Sequence, residues 1–194
     1  MPMDPPPDLA TLSLDAIVQH ISARRLPPVE TWNPPHRGHS GIRIARDGTW
    51  FHDGGPIARK DMVRLFSTVL RREPDGRHVL VTPAEKLDID VEDAPFQAVE
   101  MRSEGEGEGR EIAFALDTGD IVLLDAGHRL IMRDDDKGPR PYLQVRGGME
   151  ARIARAVYYE LAAIAIAEDS DRPGIWSHGH FFSLETDDSA HAAA

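Results

Sequence analysis

Two stretches of the chain carry hydrophobic residues at helical spacing. The first runs from about Ile57 to Leu70, and its apolar stripe consists of Met62, Val63, Phe66, Val69 and Leu70. The second runs from about Met149 to Ala167, with a main stripe of Ile153, Val157, Leu161 and Ile164 and alanine at many of the other positions. These patterns predict two amphipathic helices, of which the second is covered on more than one side. A shorter helix is predicted from Ser13 to Ser22.

Short apolar runs and period-two alternation predict strands in the rest of the chain. Ile42–Ala45 and Thr49–His52 flank an Asp-Gly turn, which is typical of a hairpin. Beyond Pro95, four strand candidates follow in close order: Phe96–Arg102, Glu111–Leu116, Ile121–Leu124 and His128–Met132. Such a meander indicates an antiparallel sheet that curls into a roll. The segment Trp32–Gly41 is rich in Pro and Gly, so we interpret it as an ordered loop lying on the core.

Two segments of the sequence are alike. Trp50–Met62 and Tyr142–Ile153 each contain an aromatic strand, a Gly-Gly pair and then a predicted helix with arginine in its first turn. Either a strand–turn–helix–strand unit was duplicated, or two hairpin-to-helix junctions acquired glycine independently. Duplication favours two halves of similar size that meet at an interface.

The predicted fold class is therefore α+β, with two small domains and a repeated strand–turn–helix–strand motif. The C-terminal half is expected to be an antiparallel β-roll packed by the long helix. We expect a disordered N-terminus at 1–12, an N-terminal α+β domain at 13–90, a C-terminal β-roll domain at 91–186 and a disordered tail at 187–194.

Composition and charge exclude several classes of protein. The 194 residues include no cysteine, which excludes disulfides and thiolate chemistry. There are 22 Lys and Arg residues against 33 Asp and Glu residues, giving a net charge of −11. This balance argues against bulk nucleic-acid binding and against an anionic membrane surface. With no long apolar run and no signal-like start, we expect a cytoplasmic protein with no membrane partner.

The two Gly-Gly junctions are the first candidate for a binding site. Unpaired N–H groups at a helix start attract anions, and glycine allows close approach. Arg59 and Lys60 would add positive charge at one junction, and Arg146 and Arg152 at the other. However, the chain has neither a Walker pattern nor Gly-x-Gly-x-x-Gly. The alternative is a plain hairpin exit whose arginines are solvated or paired with nearby acids.

Histidines and carboxylates provide weaker candidates. Zinc needs three or four ligands, and no suitable spacing accompanies the histidines at positions 36, 39, 52, 178 and 180, so we predict no metal and no cofactor. The acidic cluster of Asp88, Asp90, Glu92 and Asp93 lies close to Glu85. It is either a catalytic carboxylate pair or a solvated strand edge, and the second is the more typical arrangement.

The aromatic residues Trp32, Trp50, Phe51 and Phe96 have two interpretations. They could stack on a base, or they could pack in the core, which is the commoner fate of aromatics in a chain that has few of them.

Several runs of residues resemble a bacterial domain-of-unknown-function family, number 1285. They are Asp47–Phe51, Pro56–Arg59, Leu65–Ser67, Leu70–Arg71, Leu80–Lys86, Val91–Phe96, Pro141–Arg146 and Glu150–Ala151. The resemblance spans roughly Trp32 to Ala163. It implies a two-domain α+β protein with a repeated core and a C-terminal half superficially like pleckstrin-homology folds. It also implies a site for a nucleotide-type ligand between the halves and a role in signalling.

Carried onto this chain, the motifs of the family give eight candidate ligand-binding residues: Trp32, His52, Arg59, Thr82, Glu85, Lys86, Asp93 and Arg146. The leading hypothesis is a binding protein that holds a small anionic or nucleotide-type ligand at the junction of the halves. In it, Arg59 and Arg146 converge to neutralise the anion, and Trp32 or Trp50 supplies an apolar wall. Two alternatives stay open: a hydrolytic or transfer enzyme that uses Glu85 or Asp93 as base, and an adaptor for an unknown protein partner.

Overall fold

The computed structural model describes residues 9–23, 25–135, 138–169 and 171–186. The helices in these segments are α1 (Leu14–Ala23), α2 (Lys60–Thr68) and α3 (Arg155–Glu168). The strands of the first half are β1 (His36–Ile44), β2 (Trp50–His52), β3 (Gly55–Pro56), β4 (Leu70–Arg72), β5 (His78–Val81) and β6 (Glu85–Val91). Those of the second half are β7 (Phe96–Glu104), β8 (Glu111–Leu116), β9 (Ile121–Leu123), β10 (Leu130–Asp135), β11 (Gly138–Gln144) and β12 (Glu150–Ile153), followed by the hairpin of β13 (Gly174–Ser177) and β14 (His180–Ser183).

Two six-stranded sheets share one strand order. Sheet A runs β3-β2-β1-β6-β5-β4, and sheet B runs β10-β11-β12-β7-β8-β9. When the strands of each half are numbered from its own start and sheet B is read from its β9 edge, both orders are 3-2-1-6-5-4. In each sheet the first strand pairs parallel with the sixth, and the other neighbours pair antiparallel. The predicted two-domain, duplicated α+β architecture is confirmed.

The two Gly-Gly pairs lie in hairpin turns and not at helix starts. Gly54 turns β2 into β3 with a φ of +84°, and Gly147 and Gly148 turn β11 into β12 with φ of +53° and +72°. Residues Glu150–Ile153 then pair with β11 on one side and β7 on the other, so they form a strand. The predicted helix starts at Ile57 and Met149 are therefore wrong, and the helices begin at Lys60 and Arg155.

The interpretation of the Pro- and Gly-rich segment as a loop is wrong from His36 onward, because His36–Ile44 forms β1 at the centre of sheet A. The prolines end at Pro35, so every residue of β1 keeps an N–H for the ladder. Gly41 has a φ of +70° and lies where the register with β6 shifts, between His39 and Arg43. Glycine at this one position lets the strand accommodate the irregularity.

One hydrophobic cluster extends through both halves. It includes Trp50 and Leu70 of sheet A, Phe96 and Phe114 of sheet B, and Leu161 of α3, which are all at most 2 % exposed. Trp50 and Phe96 are therefore core residues. A second cluster joins α1 to β8 and β9 through Leu9, Leu14, Ile17, Ala113 and Ile121. Thus α1, which the sequence analysis assigned to the N-terminal domain, packs against the C-terminal sheet.

The predicted disordered ends are only partly within the described residues. Leu9–Thr11, inside the predicted 1–12 segment, form a 3-10 turn with Leu9 fully buried. Residues 1–8 and 187–194 lie outside the described residues. The glutamate- and glycine-rich turn between β7 and β8 contains a short 3-10 helix, and the Gly107 N–H donates to Glu168 at 3.0 Å. Within the described segments, no helix combines the length and the apolar character that crossing a bilayer requires.

Candidate functional site

A half-open cavity of about 750 Å³ lies between sheet A and α2. Sheet A contributes Ile42, Leu80 and Leu87 to its wall, and α2 and the residue after it contribute Met62, Leu65, Phe66 and Val69. Its volume falls in the range of about 300–1,000 Å³ that is usual for small-molecule pockets. All of its lining residues within the described chain lie between Ser40 and Leu87, so these residues place the cavity in the N-terminal half.

The apolar face of α2 is turned toward this cavity. Met62 and Leu65 are 38 % and 54 % exposed, whereas Arg64 and Ser67 on another face are buried. The helix with the clearest amphipathic stripe therefore presents part of that stripe to open space and places polar residues against the protein. Exposed apolar surface of this kind is unfavourable in water and is typical of a binding site.

The C-terminal half holds α2 in this orientation through Arg146. The Arg146 guanidinium donates to the Ser67 carbonyl at 2.7 Å, and it pairs with Asp120 at 3.2 Å. It also lies 5.0 Å from the centre of the Phe96 ring. Ser67 is close to the C-terminal end of α2, where carbonyl groups lack helical partners and favour a cation. Arg146 is therefore a structural link between the halves.

Four of the eight candidate residues line the cavity: His52, Arg59, Thr82 and Glu85. Arg59 occupies the N-cap position of α2 but does not cap it with its side chain, and Glu85 is the first residue of β6. Within the described segments, the side chains of Arg59 and Glu85 make neither an ion pair nor a hydrogen bond. The cavity thus has at its edge a cation and an acid that have no partner in the described part of the chain.

Thr82 and His52 shape the rim. The Thr82 hydroxyl accepts hydrogen bonds from the N–H groups of Ala84 and Glu85 at 3.3 and 3.2 Å, which fixes the turn from β5 into β6. His52 ends β2, and its imidazole lies 3.6 Å from the carboxylate of Asp53.

The other four candidates lie elsewhere. Lys86 follows Glu85 on β6, so its side chain is on the opposite face of sheet A, where it contacts Glu73 at 2.8 Å. Asp93 accepts the Tyr142 hydroxyl at 2.7 Å. The Trp32 carbonyl accepts from Arg71 at 2.8 Å.

Arg146, the fourth, does not meet Arg59. The two residues are associated with opposite ends of α2, because Arg146 binds Ser67 and Arg59 is the N-cap. Eight residues of helix span roughly 12 Å. The predicted convergence of the two arginines on one anion is therefore wrong.

Lys86 belongs to a buried ionic group on the outer face of sheet A. Glu73 lies between Lys86 and Arg71, and these three side chains are between 9 % and 14 % exposed. Burial alone would raise the pKa of Glu73, but hydrogen bonds from Lys86 and Arg71 outweigh it and lower that pKa. Arg71 also donates to the carbonyls of Val29 and Trp32. The group therefore fastens the segment before β1 to the sheet.

Sequence reasoning missed the apolar wall of the cavity, in particular Ile42, Leu80 and Leu87. The alternation of Glu85, Leu87 and Ile89 in β6 was a signal that these residues share one face with a polar residue at its end. Among the described residues, no group of three or more His, Asp or Glu side chains is arranged to hold a metal ion.

Comparison with known families identifies the chain. The family model described as "Domain of unknown function (DUF1285), N-terminal domain" matches residues 27–94. The model described as "Protein of unknown function (DUF1285), C-terminal domain" matches residues 95–184. The chain belongs to the DUF1285 family. The boundary between the two DUF1285 models falls between β6 and β7, where sheet A ends and sheet B begins.

Two crystal structures of DUF1285 family proteins are similar to this chain. The protein from Silicibacter pomeroyi DSS-3 is 43 % identical, with a TM-score of 0.77 over 92 % of this chain and 97 % of that one. The protein from Shewanella baltica OS155 is 24 % identical, with a TM-score of 0.50 over 62 % of this chain and 89 % of that one, and it shares the fold. A comparison with functionally curated proteins found no match.

Proposed function

We propose that this DUF1285 protein binds a small organic anion with an apolar body in the cavity beneath α2. The observation that carries the proposal is the exposure of Met62 and Leu65 to a cavity that has the unpartnered Arg59 at its edge. A ligand that covered this surface would gain roughly 25 cal/mol for each Å² of apolar area removed from water. Its anionic group would form charge-assisted hydrogen bonds with the Arg59 guanidinium.

Glu85 adds a second polar requirement. A carboxylate accepts hydrogen bonds, so the ligand should carry a hydroxyl or N–H group that reaches Glu85 while its anionic group reaches Arg59. A nucleotide-type molecule has all three parts: a flat apolar base, sugar hydroxyls and a phosphate. The proposal keeps the ligand class expected from the sequence but moves it from the junction of the halves into the N-terminal half. The signalling role stays a prediction.

The two alternative functions also stay predictions. Asp93, one of the two bases considered for an enzyme, pairs with Tyr142 and Arg152 outside the cavity. An adaptor would use an exposed apolar patch, whereas Met62 and Leu65 border a concave cavity. The geometry therefore favours a small ligand over an adaptor and over an enzyme that uses Asp93, whereas an enzyme that uses Glu85 would bind its substrate in this same cavity.

A thermal-shift screen with nucleotides and other small organic anions tests the proposal. A ligand at 100 times its Kd should add about 2.7 kcal/mol to the free energy of unfolding, which raises the melting temperature. Arg59→Ala should weaken the shift, because it removes the cation. Leu87→Trp should abolish it, because an indole on this face of β6 fills part of the cavity.

Arg37→Ala is the matched control. Arg37 is an exposed arginine of β1 that pairs in register with Lys86, so it lies on the face of sheet A opposite the cavity. Its removal should leave the shift unchanged. A screen without any shift, or a shift that survives both Arg59→Ala and Leu87→Trp, would overturn the proposal.

A further inference from the structure

A second, smaller cavity of about 250 Å³ is lined by four arginines. Arg46 comes from the turn between β1 and β2, Arg140 from β11, Arg152 from β12 and Arg155 from the first turn of α3. The remaining described residues of the lining are Gly138, Pro139, Pro141, Ile153 and Tyr158, and none of them is acidic. Such a concentration of positive charge is unexpected in a chain with a net charge of −11.

Two carboxylates, those of Asp93 and Glu92, contact groups at this cavity, and Arg140 has a partner of its own. Asp93 lies 3.5 Å from Arg152, but that oxygen makes no hydrogen bond, and its other oxygen accepts the Tyr142 hydroxyl. Glu92 is shared between the Arg43 guanidinium and the backbone N–H of Arg46.

Two of the guanidinium groups have no partner among the described residues. In the segments that the structure covers, the side chains of Arg46 and Arg155 make no ion pair or hydrogen bond. Guanidinium groups that face one cavity repel each other, and an anion between them removes that repulsion.

The helix α3 adds to the positive potential. It has fourteen residues, and Ala154 at its N-cap provides no side-chain hydrogen bond to the first turn. The free N–H groups at this end carry partial positive charge and favour an anion. The arginines carry the argument, and the helix end strengthens it because Arg155 places both features at the same cavity.

We propose that this cavity is a binding site for a phosphoryl group. Its volume is below the range of about 300–1,000 Å³ that suits whole organic ligands, so it fits a compact oxyanion. Arginine matches such a group because its planar fork donates two parallel hydrogen bonds to phosphate oxygens. Both halves build the site, since Arg46 belongs to the N-terminal half. The site is separate from the cavity beneath α2 and does not depend on the ligand proposed there.

Titration with inorganic phosphate, followed by calorimetry and by ³¹P line broadening, tests this site. Sodium chloride keeps the ionic strength constant, because unspecific attraction is screened by salt. The wild-type chain should bind phosphate, and Arg46→Gln and Arg155→Gln should each weaken binding about tenfold or more. Both side chains lack partners in the described chain, so their loss should leave the far-UV circular dichroism unchanged.

Arg37→Gln is the control, because it removes an exposed arginine far from this cavity in the fold and lowers the net charge equally. It should bind phosphate as the wild type does. The absence of binding above the chloride background would overturn the proposal, as would an equal loss in Arg37→Gln and Arg46→Gln.

A second titration distinguishes free phosphate from a phosphoryl group carried by a larger molecule. Phenyl phosphate carries the same phosphoryl group on an apolar ring, which could contact Tyr158 at the wall. Tighter binding of phenyl phosphate than of inorganic phosphate would identify the ligand as the phosphorylated end of a larger molecule. Equal or tighter binding of inorganic phosphate would identify it as the free ion.

Discussion

Sheet A and sheet B have the same strand order, but their helices enter at different points of the repeat. In the N-terminal half, α2 connects the third strand to the fourth, and in the C-terminal half, α3 follows the sixth strand. Val157, Leu161 and Ala165 of α3 are buried, whereas Leu65 of α2 is more than half exposed. The same sheet topology therefore uses one helix to complete its core and the other as the wall of an open cavity.

The described part of the C-terminal half also has a covering hairpin with no counterpart in the described part of the N-terminal half. The hairpin of β13 and β14 follows α3, and its Gly174 lies directly against the ring of Phe181. In the first half, β6 is followed at once by β7 of the next sheet. Among the described residues, the open cavity thus lies in the half that has no such hairpin after its sixth strand.

The largest expected effect comes from shortening one leucine in each helix. Leu161→Ala should lower the free energy of unfolding by about 3 kcal/mol, because it leaves a void at a fully buried position. Leu65→Ala should cost less than about 1 kcal/mol, because Leu65 already faces open space. Urea denaturation of both variants measures the difference. Equal losses would show that α2 packs as tightly as α3.

The next effect concerns the link between the halves. Arg146→Ala should destabilise the protein by about 2 kcal/mol, because it removes the ion pair with the buried Asp120 and the hydrogen bond to the Ser67 carbonyl. Arg133→Ala is the control, since the Arg133 ion pair with Glu150 is nearly half exposed on the arginine side and should contribute less than about 1 kcal/mol. If the two variants lose the same stability in urea, Arg146 is not the link that we describe.

A smaller effect should follow from adding a methyl group to one glycine in each half. A Cβ on Gly174 would stand 2.2 Å from the Phe181 ring, so the ring would have to move, which would disturb its contact with Trp176. We expect Gly174→Ala to cost about 1–2 kcal/mol by overpacking. Gly55→Ala in β3, where the nearest atom is 3.6 Å away, should change the melting temperature little. A tolerated Gly174→Ala would mean that the hairpin is as loosely covered as sheet A.

The smallest effect depends on pH. Asp117 as a whole is exposed, but its carboxyl group is directed toward the junction of the two halves. Its Oδ1 accepts a hydrogen bond from the Gln97 N–H at 3.0 Å, and its Oδ2 lies beside Gly48. Burial raises the pKa of this carboxyl from 3.8 to about 6, and the Asp120 carboxylate acts in the same direction. Because the folded state holds this proton more tightly than the unfolded chain, the ionised carboxyl disfavours folding above about pH 6. That penalty disappears as the pH falls toward 4.

Asp117→Asn should therefore stabilise the protein at pH 7.5 and leave its stability unchanged at pH 4. We expect a gain below about 1 kcal/mol, because water at the exposed flank screens the charge. Melting temperatures at the two pH values measure it. A variant that is less stable than the wild type at pH 7.5 would show that the ionised Asp117 carboxylate stabilises the folded state.

Local patterns predicted the elements whose signal is contained in a few neighbouring residues. The Asp-Gly turn joins β1 to β2 as expected, with Gly48 at a φ of +85°. The β-meander after Pro95 appears as β7, β8 and β9. The apolar stripes of the predicted helices also exist, except that Ile153 belongs to β12. The parallel pairing of β12 with β7 is a long-range contact, so the periodicity of the sequence could not reveal it.

The candidate site was predicted only in part, because some of its contacts are also distant in sequence. His52, Arg59, Thr82 and Glu85 meet at one cavity, and the family motifs named all four. The motifs also named Arg146, whose partners Asp120 and Ser67 are 26 and 79 residues away in sequence. Whether an arginine faces a ligand or a carbonyl depends on such distant contacts, so residue type and local spacing could not separate the two roles.

The parallel pairing of first and sixth strands has a consequence for synthesis of the protein. During translation, β1 cannot be flanked on both sides until Val91 has left the ribosome, and β7 must wait until Ile153. Closing such long loops before gaining their contacts slows folding. Each half thus emerges as an incomplete sheet, and the nascent chain exposes the inner edges of β1 and β7 until the last strand of its repeat arrives.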